Sequence, residues 1–142
     1  MDTSPFPLDH VAIAVRSIAE AMPIWERLAN AHGGSTEAVP AQGVRVAFVG
    51  TGNARVELIE PTSAESPVAR FLDKRGPGLH HVAYRVPDIR VALADFVALG
   101  MQPIDREPRP GAAGHAVAFL HPKDAGGVLV ELVEYPHSTA GA

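Results

Sequence analysis

The sequence predicts an α+β fold in which one unit, a strand followed by a helix and three further strands, occurs twice within a single domain of 142 residues. Two observations support it. An alternating stretch that carries His10 returns later in the chain with His81, and a second apolar stretch that carries Glu57 returns with Glu131. The copies keep the same order, as expected of an internal duplication.

The duplication extends over three pairs of segments. Residues 8–18 (LDHVAIAVRSI) match residues 79–89 (LHHVAYRVPDI) at Leu, His, Val, Ala, Val and Ile, residues 46–49 (VAFV) resemble 117–120 (VAFL), and residues 56–60 (VELIE) match 130–134 (VELVE). The offset grows from 71 (10 to 81) to 74 (57 to 131), which indicates a three-residue insertion that we place in the turn 121–127. A loop insertion of this size costs little stability.

The first unit begins with an alternating strand over residues 8–15, after which Ser17 is a typical helix N-cap. The apolar positions of that helix are Ile18, Ala21, Met22, Trp25 and Leu28. We expect Gly33-Gly34 to end the helix and strands to follow near 35–39, 44–50 and 54–60.

The second unit repeats this order, with Asp88 as the N-cap and Gly100 as the stop. The helix face comprises Ile89, Leu93, Phe96 and Val97, and strands are expected near 101–106, 115–121 and 127–134. We therefore predict one domain over 1–142, made of modules at about 8–61 and 79–135 that are joined by a linker at about 62–78, with a short helix at 66–75.

Composition narrows the functional class. The net charge is −4, without a run of Lys or Arg, which argues against nucleic acid or an anionic membrane as partner and favours a small molecule. Because the chain has no cysteine, any metal site must use nitrogen and oxygen ligands. The first residues lack a basic region followed by an apolar stretch, so we expect a cytoplasmic protein.

Side chains alternate between the two faces of a strand, and this alternation places the duplicated polar residues on one face. His10 shares one face of its strand with Ala12 and Ala14, and His81, Glu57 and Glu131 fall on the corresponding faces of theirs. Two buried carboxylates that face two imidazoles are most simply explained by a bound cation. An N2O2 ligand set fits Co²⁺, Mn²⁺, Ni²⁺, Zn²⁺ or Fe²⁺ and leaves open positions for substrate.

Other residues are weaker candidates. Glu60 and Glu134 fall on the opposite strand face from Glu57 and Glu131 and are expected in solvent or at strand ends. His121 and Lys123 in the inserted turn, Gly114 in a Gly-rich loop and Arg85 beside the His81 face are candidates for substrate binding, although each is equally compatible with an ordinary turn or rim position. His80 is expected on the opposite strand face from His81 and therefore away from the metal.

The segment 8–15 and its copy resemble the vicinal oxygen chelate superfamily, which includes glyoxalase I and the extradiol dioxygenases. Residues 42–44 (QGV), 65–72 (ESPVARFL), 78–84 (GLHHVAY), 119–123 (FLHPK) and 127–132 (GVLVEL) look like the methylmalonyl-CoA epimerase family in particular. The resemblance covers residues 8–136 and implies paired βαβββ modules in a cupped eight-stranded sheet. It also implies metal ligands at His10, Glu57, His81 and Glu131, with Co²⁺ favoured, and a homodimer.

The resemblance has two departures. Some members of the family carry Gln where Glu57 stands, and some carry a glutamate, proposed as a catalytic base, where this chain has Val46. The role of that glutamate therefore does not transfer. We predict instead that one or both of Glu57 and Glu131, which are related by the duplication, act as proton carriers, with a metal-bound water as the alternative second carrier.

The activity that the resemblance implies is metal-dependent epimerisation of (R)- and (S)-methylmalonyl-CoA, by α-proton abstraction through a metal-stabilised enolate. The alternatives are a lactoylglutathione lyase like glyoxalase I, acting on a glutathione hemithioacetal, and a non-enzymatic ligand-binding protein of the same fold. An extradiol dioxygenase usually uses two histidines and one carboxylate, so the fourth residue counts against it.

Overall fold

Eight strands and three helices make up the part of the chain that the structure, a computed structural model, describes, namely residues 4–137. The strands are β1 (Leu8–Ala14), β2 (Glu37–Val39), β3 (Val44–Val49), β4 (Arg55–Pro61), β5 (Gly78–Arg85), β6 (Arg109–Pro110), β7 (Ala116–Leu120) and β8 (Val130–Glu134). The helices are α1 (Ile18–Ala29), α2 (Pro67–Arg75) and α3 (Ile89–Ala98), with short 3₁₀ helices at Pro40–Gln42, Ala112–Gly114 and Pro122–Ala125.

The strands form one sheet in the order β2-β3-β4-β1-β5-β8-β7-β6. Within each half, the first strand pairs in parallel with the last, β1 with β4 and β5 with β8. The halves meet where β1 pairs antiparallel with β5. The paired βαβββ arrangement that the sequence predicts is thus confirmed.

The two faces of the sheet have different roles. On one face, Val15 and Leu58 pack with α1, and Val86 and Leu132 pack with α3. On the other face, Ala12, Ala14 and Ile59 pack with residues of α2, the helix that connects the halves. The polar residues of the site lie on this second face, so α2 shapes one side of the site.

The starts of the helices and the ends of α2, at Arg75, and of α3, just before Gly100, were predicted correctly, whereas the end of α1 was not. The side chains of Ser17 and Asp88 accept hydrogen bonds from the first turns of α1 and α3, as expected of N-caps. Helix α1 ends at Ala29, before Gly33-Gly34, because Asn30 adopts the left-handed conformation (φ 51°) that closes a helix. Leu28 lies beyond the apolar stripe and is 68% exposed.

The strand expected near 101–106 is wrong. This segment contributes an isolated bridge between Pro103 and Leu120, and the short edge strand β6 forms later, at Arg109–Pro110. Prolines at 103, 108 and 110 lack the N–H that a longer ladder requires. None of the helices within residues 4–137 has the length and apolar character needed to cross a membrane.

Candidate metal and active site

Four neighbouring strands at the centre of the sheet supply the predicted ligands: His10 from β1, Glu57 from β4, His81 from β5 and Glu131 from β8. All four are buried. The alternation of side chains along each strand puts the four residues on one face of the sheet, and the strand order β4-β1-β5-β8 makes them neighbours in one site.

Two alanines form the floor of the site. Ala12 registers with Glu57 on one side and with His81 on the other, while Ala83 registers with His10 and Glu131. Both alanines are 0% exposed. Their short side chains leave the space into which the four longer side chains converge, and the arrangement repeats the internal duplication.

The four side chains meet through their tips. The His10 Nε2 lies 3.3 Å from Glu131 Oε1 and 3.5 Å from Glu57 Oε1. The His81 Nε2 lies 3.5 Å from Glu57 Oε1 and 3.6 Å from Glu131 Oε1. The set whose ligand atoms all lie within 4.8 Å of one another comprises His10, His81 and Glu131, and Glu57 adds a contact with each imidazole.

These residues fit a divalent cation. Both Nε2 atoms are buried and, among the described residues, have no hydrogen-bond partner. Separations of 3.3 to 3.6 Å exceed a normal N–H···O bond. Two atoms that each bind one ion at ~2.1 Å are themselves ~3.0–3.4 Å apart, which is close to this spacing. The adjacent void of about 20 Å³ is large enough for a particle of the size of a water molecule.

The charges of the site explain its pKa shifts. Burial opposes the charged form of His10, but its hydrogen bond to Asp9 and the carboxylates of Glu131 and Glu57 outweigh burial and raise the pKa of His10 to about 11. Burial also opposes the charged form of Glu131, yet both imidazoles hold the pKa of that carboxyl below its usual value. A cluster that stabilises positive charge to this extent suits a cation in place of the proton.

A β-bulge in each module adds a second residue beside each histidine. The register of β1 and β5 shifts between Leu8 and His10 and again between Ala12 and Ile13, which leaves Asp9 and His80 as the extra residues. The Asp9 carboxylate lies 2.6 Å from His10 Nδ1, and the His80 Nδ1 lies 2.8 Å from His81 Nδ1. His80 is not one of the clustered residues that could hold a cation, as predicted, but the bulge brings its ring into contact with His81, which strict alternation of side chains does not predict.

A polar network holds Asp9 in position. Arg55 donates to the Asp9 carboxylate at 2.9 Å and to the Tyr135 hydroxyl at 3.0 Å, and Tyr135 donates to Asp9 in turn. Burial raises the pKa of Asp9, but the hydrogen bonds from His10 and Tyr135 and the charge of Arg55 lower it to about 2. Asp9 is therefore a carboxylate at neutral pH.

The surroundings of His80 are less polar. Its ring packs edge-on against Phe71 of α2, with centroids 4.9 Å apart. Burial and the neighbouring His81 lower the pKa of His80 to about 4, against a smaller opposing effect of Glu131. His80 is neutral at pH 7.

Two larger cavities adjoin the site, and both are bordered by His80 and His81. One of about 160 Å³ lies between the sheet and α2, and is lined by Arg109 and Gln42. The other, of about 550 Å³, is lined by three cations of α2, Arg70, Lys74 and Arg75, and by no acidic residue of the described chain. In a chain of net charge −4, this local excess of positive charge indicates an anionic ligand group.

The weaker candidates lie in different places. The Arg85 guanidinium stacks on the Tyr135 ring, 3.6 Å from its centroid. Arg85 lines neither the cavity of about 160 Å³ nor the cavity of about 550 Å³. Lys123 donates to Gln102, and His121 caps the short 3₁₀ helix at 122–125, next to the large cavity rather than in it. Gly114 has φ +74° in the loop that ends at His115. Their roles in substrate binding stay predictions.

Sequence reasoning missed Asp9, Arg55, Tyr135 and Arg109. One signal was available for Asp9, because positions 9 and 80 are equivalent in the duplication and both directly precede a predicted ligand. Arg109 is the arginine that lines the cavity of about 160 Å³. The sequence places Arg109 in the loop between the strands expected near 101–106 and 115–121, where register cannot be read from a sequence.

Comparisons with known proteins agree with this fold. Residues 9–119 match the model of the Glyoxalase/Bleomycin resistance protein/Dioxygenase superfamily. The chain is 41% identical to "Methylmalonyl-CoA epimerase, mitochondrial" of Bos taurus over 88% of its length and 72% of the relative's, and 40% identical to "Ethylmalonyl-CoA/methylmalonyl-CoA epimerase" of Cereibacter sphaeroides over 88% and 95%. The crystal structure of methylmalonyl-CoA epimerase from Mycobacterium tuberculosis superimposes with a TM-score of 0.90 at 36% identity, covering 100% of this chain and 97% of that one.

The fold and the duplicated His/Glu site thus define an enzyme of the glyoxalase-like superfamily, in which paired βαβββ modules enclose a site built by both halves. Identities near 40% over most of the chain narrow the class further. The chain belongs to the methylmalonyl-CoA epimerase family, whose members are isomerases.

Proposed function

We propose that this enzyme epimerises the α-carbon of methylmalonyl-CoA, interconverting the (R) and (S) forms with the help of a divalent ion held by His10, Glu57, His81 and Glu131. The observation that carries the proposal is a pair of buried imidazole Nε2 atoms that have no hydrogen-bond partner within residues 4–137 and that face two carboxylates at 3.3 to 3.6 Å. The relatives named above act, by their names, on methylmalonyl-CoA or ethylmalonyl-CoA.

The reaction requires removal of the proton between a thioester carbonyl and a carboxylate, followed by its return on the opposite face. A divalent ion, when bound, supplies a Lewis acid that stabilises negative charge on the substrate oxygens. Co²⁺ is the ion we favour, with Mn²⁺, Ni²⁺, Zn²⁺ and Fe²⁺ as the other candidates.

The protein itself supplies the proton carriers. Glu57 and Glu131 enter the site from opposite sides of the central β1–β5 pair, so they are suited to act on opposite faces of one carbon. Glu131 is ionised in the metal-free protein, because both imidazoles hold the pKa of its carboxyl below the usual value, and the ionised carboxylate is the form that can accept a proton. We assign the acid/base roles to these two residues, because Val46 has no acid/base group.

The cavities suit a coenzyme A thioester. The cavity of about 160 Å³ beside His81 can receive the acyl group. Arg109, which lines this cavity while it pairs with Asp105 at 3.0 Å and donates to the Ala41 carbonyl, is the cation nearest to hand for the substrate carboxylate. The cavity of about 550 Å³ then receives the phosphate-bearing end of the coenzyme, near Arg70, Lys74 and Arg75. Both cavities adjoin His80 and His81, so a single extended ligand can occupy both.

Proton exchange tests the chemistry. Protein loaded with Co²⁺ is expected to exchange the α-proton of methylmalonyl-CoA with D₂O, as followed by NMR. Glu57→Gln and Glu131→Gln should each slow exchange by roughly 10²–10⁴-fold if both act as acid/base groups, whereas Glu65→Gln, an exposed carboxylate next to α2, should not.

The same experiment distinguishes the alternatives. Undiminished exchange in both glutamine variants would remove Glu57 and Glu131 as bases. No exchange by the parent protein, together with turnover of a glutathione hemithioacetal, would make it a glyoxalase-type lyase. Absence of both activities in metal-loaded protein would favour a ligand-binding role.

A truncated substrate tests the coenzyme site. The double variant Arg70→Glu/Lys74→Glu is expected to raise KM for the coenzyme A thioester at least ~10-fold, because two attractive charges become repulsive. The pantetheine thioester lacks the nucleotide phosphates, and its KM should change little. Arg27→Glu on α1, away from the cavity, is the matched control. Equal effects on both substrates would contradict the assignment.

A further inference from the structure

The two metal-facing histidines occupy equivalent positions in the duplication, yet their Nδ1 atoms meet different partners. His10 meets the carboxylate of Asp9 at 2.6 Å, and His81 meets the ring of His80 at 2.8 Å. Asp9 and His80 are themselves equivalent, since each is the extra residue of a bulge directly before its histidine. The backbone device is the same in both modules, and only the chemistry of the bulge residue differs.

Hydrogen bonding determines the tautomer of each ring. An imidazole that offers its Nε2 lone pair to a cation carries its proton on Nδ1. The Nδ1–H of His10 then donates to a carboxylate, and the Nδ1–H of His81 donates to Nδ1 of His80. His80 consequently carries its own proton on Nε2.

The two partners affect the rings unequally. A carboxylate acceptor increases the electron density of the imidazole to which it is bonded and fixes its orientation, as is common in metal sites. A neutral imidazole acceptor fixes orientation but contributes no net charge. Arg55 and Tyr135 hold Asp9 from its other side, whereas His80 packs against Phe71 and borders the two large cavities.

We propose that Asp9 and His80 are the positioning residues of the two imidazoles and make them unequal ligands, with His10 the more strongly binding one because its partner is charged. This inference rests on the proposed metal site. It adds that the bulge residue sets the strength of each module's histidine, so the second module can be strengthened by giving it the bulge residue of the first.

Metal affinity in the absence of substrate tests this, measured for Co²⁺ by competition with a chelator on desalted protein. Asp9→Asn should weaken binding by roughly 10–100-fold, the range typical of such partners. His80→Asn retains an acceptor near the position of Nδ1 and should stay within ~3-fold of the parent, whereas His80→Leu should weaken binding. His80→Asp should tighten it, by roughly 10-fold.

The gain in His80→Asp is decisive, because a residue with a merely structural role cannot increase affinity when it is replaced. Leu79→Asp places the same charge on the neighbouring, 58% exposed position of the same cavity and should leave affinity unchanged. If Asp9→Asn fails to fold, the His80 series decides alone. Equal affinities across the folded variants, or equal gains in His80→Asp and Leu79→Asp, would overturn the inference. A parent protein that retains no ion would instead refute the metal site itself.

Discussion

At the scale of single residues, small side chains are as important to the site as the polar ones. Ala12 and Ala83 lie on the strands that carry His10 and His81, and each registers between a glutamate and a histidine of the other strands. A larger side chain at either position would fill the space that the ligands enter. The duplication preserves alanine at both positions, as it preserves the four proposed ligands.

Replacing Ala83 by valine should therefore separate ligand binding from stability. Insertion of two methyl groups into a packed core costs roughly 1–3 kcal/mol of unfolding free energy. Ala83→Val is expected to show that cost together with at least a ~10-fold loss of Co²⁺ affinity. Ala118→Val, on a position equally buried but packed towards α3, should show the cost in a urea titration with unchanged affinity. Parallel affinity losses in both variants would contradict this role of Ala83.

At the scale of elements, each module ties its last strand to the start of its helix. The Glu60 carboxylate of β4 accepts a hydrogen bond from the Ile18 N–H at 2.9 Å, and Glu134 of β8 accepts one from the Ile89 N–H at 2.8 Å. Our expectation that these residues lie in solvent or at strand ends missed this role. A carboxylate at a helix N-terminus satisfies a free N–H and interacts favourably with the helix dipole.

Removing either carboxylate should weaken the connection between strand and helix. Glu60→Ala and Glu134→Ala are each expected to lower the free energy of unfolding by about 1 kcal/mol, as loss of an N-terminal capping group does. Glu107→Ala, which removes an exposed partner of Arg90, should cost less than about 0.5 kcal/mol. Chemical denaturation of the three variants provides the comparison, and a cost in Glu107→Ala as large as in the others would refute the capping role.

At the scale of the whole molecule, the buried charge of the site couples folding to pH and to metal. The folded pKa of His10, about 11, exceeds the unfolded value near 6.5, so its protonation stabilises the metal-free protein fully below pH 6.5. That contribution is lost progressively as the pH rises through 11. A bound cation would compensate Glu57, Glu131 and Asp9 in place of the proton.

Metal-free protein should consequently lose stability between pH 7 and pH 10, and a saturating divalent ion should reduce that loss. His10→Gln removes the titrating group and is expected to flatten the dependence. His32→Gln, at a fully exposed position, should leave it unchanged. Urea midpoints at several pH values measure the effect, and a parent profile that is flat between pH 7 and pH 10 without metal would contradict it.

The residues that the sequence placed correctly follow from rules of short range. The period-2 alternation of residues 8–15 and its copy fixes which side chains share a face, and the repeat of His and Glu identifies which of them matter. Ser17 and Asp88 mark helix starts because capping involves the residues just beyond them. The internal duplication then predicts the order of the elements and the four side chains of the site.

What the tertiary structure decided depends on contacts between distant parts of the chain. The bulges at Asp9 and His80 exist in the pairing of β1 with β5, about 70 residues apart in the sequence. A bulge brings its extra residue beside the neighbouring histidine, where strict alternation of side chains would not place it. The proline-rich stretch around Arg109 shows neither helical nor strand periodicity. The position of Arg109 at the cavity of about 160 Å³ could therefore not be predicted from the sequence. The sequence by itself determined which residues meet and on which face of the sheet. Packing determined which partners orient them and what surrounds them, because register and cavity shape arise only when the whole sheet has formed.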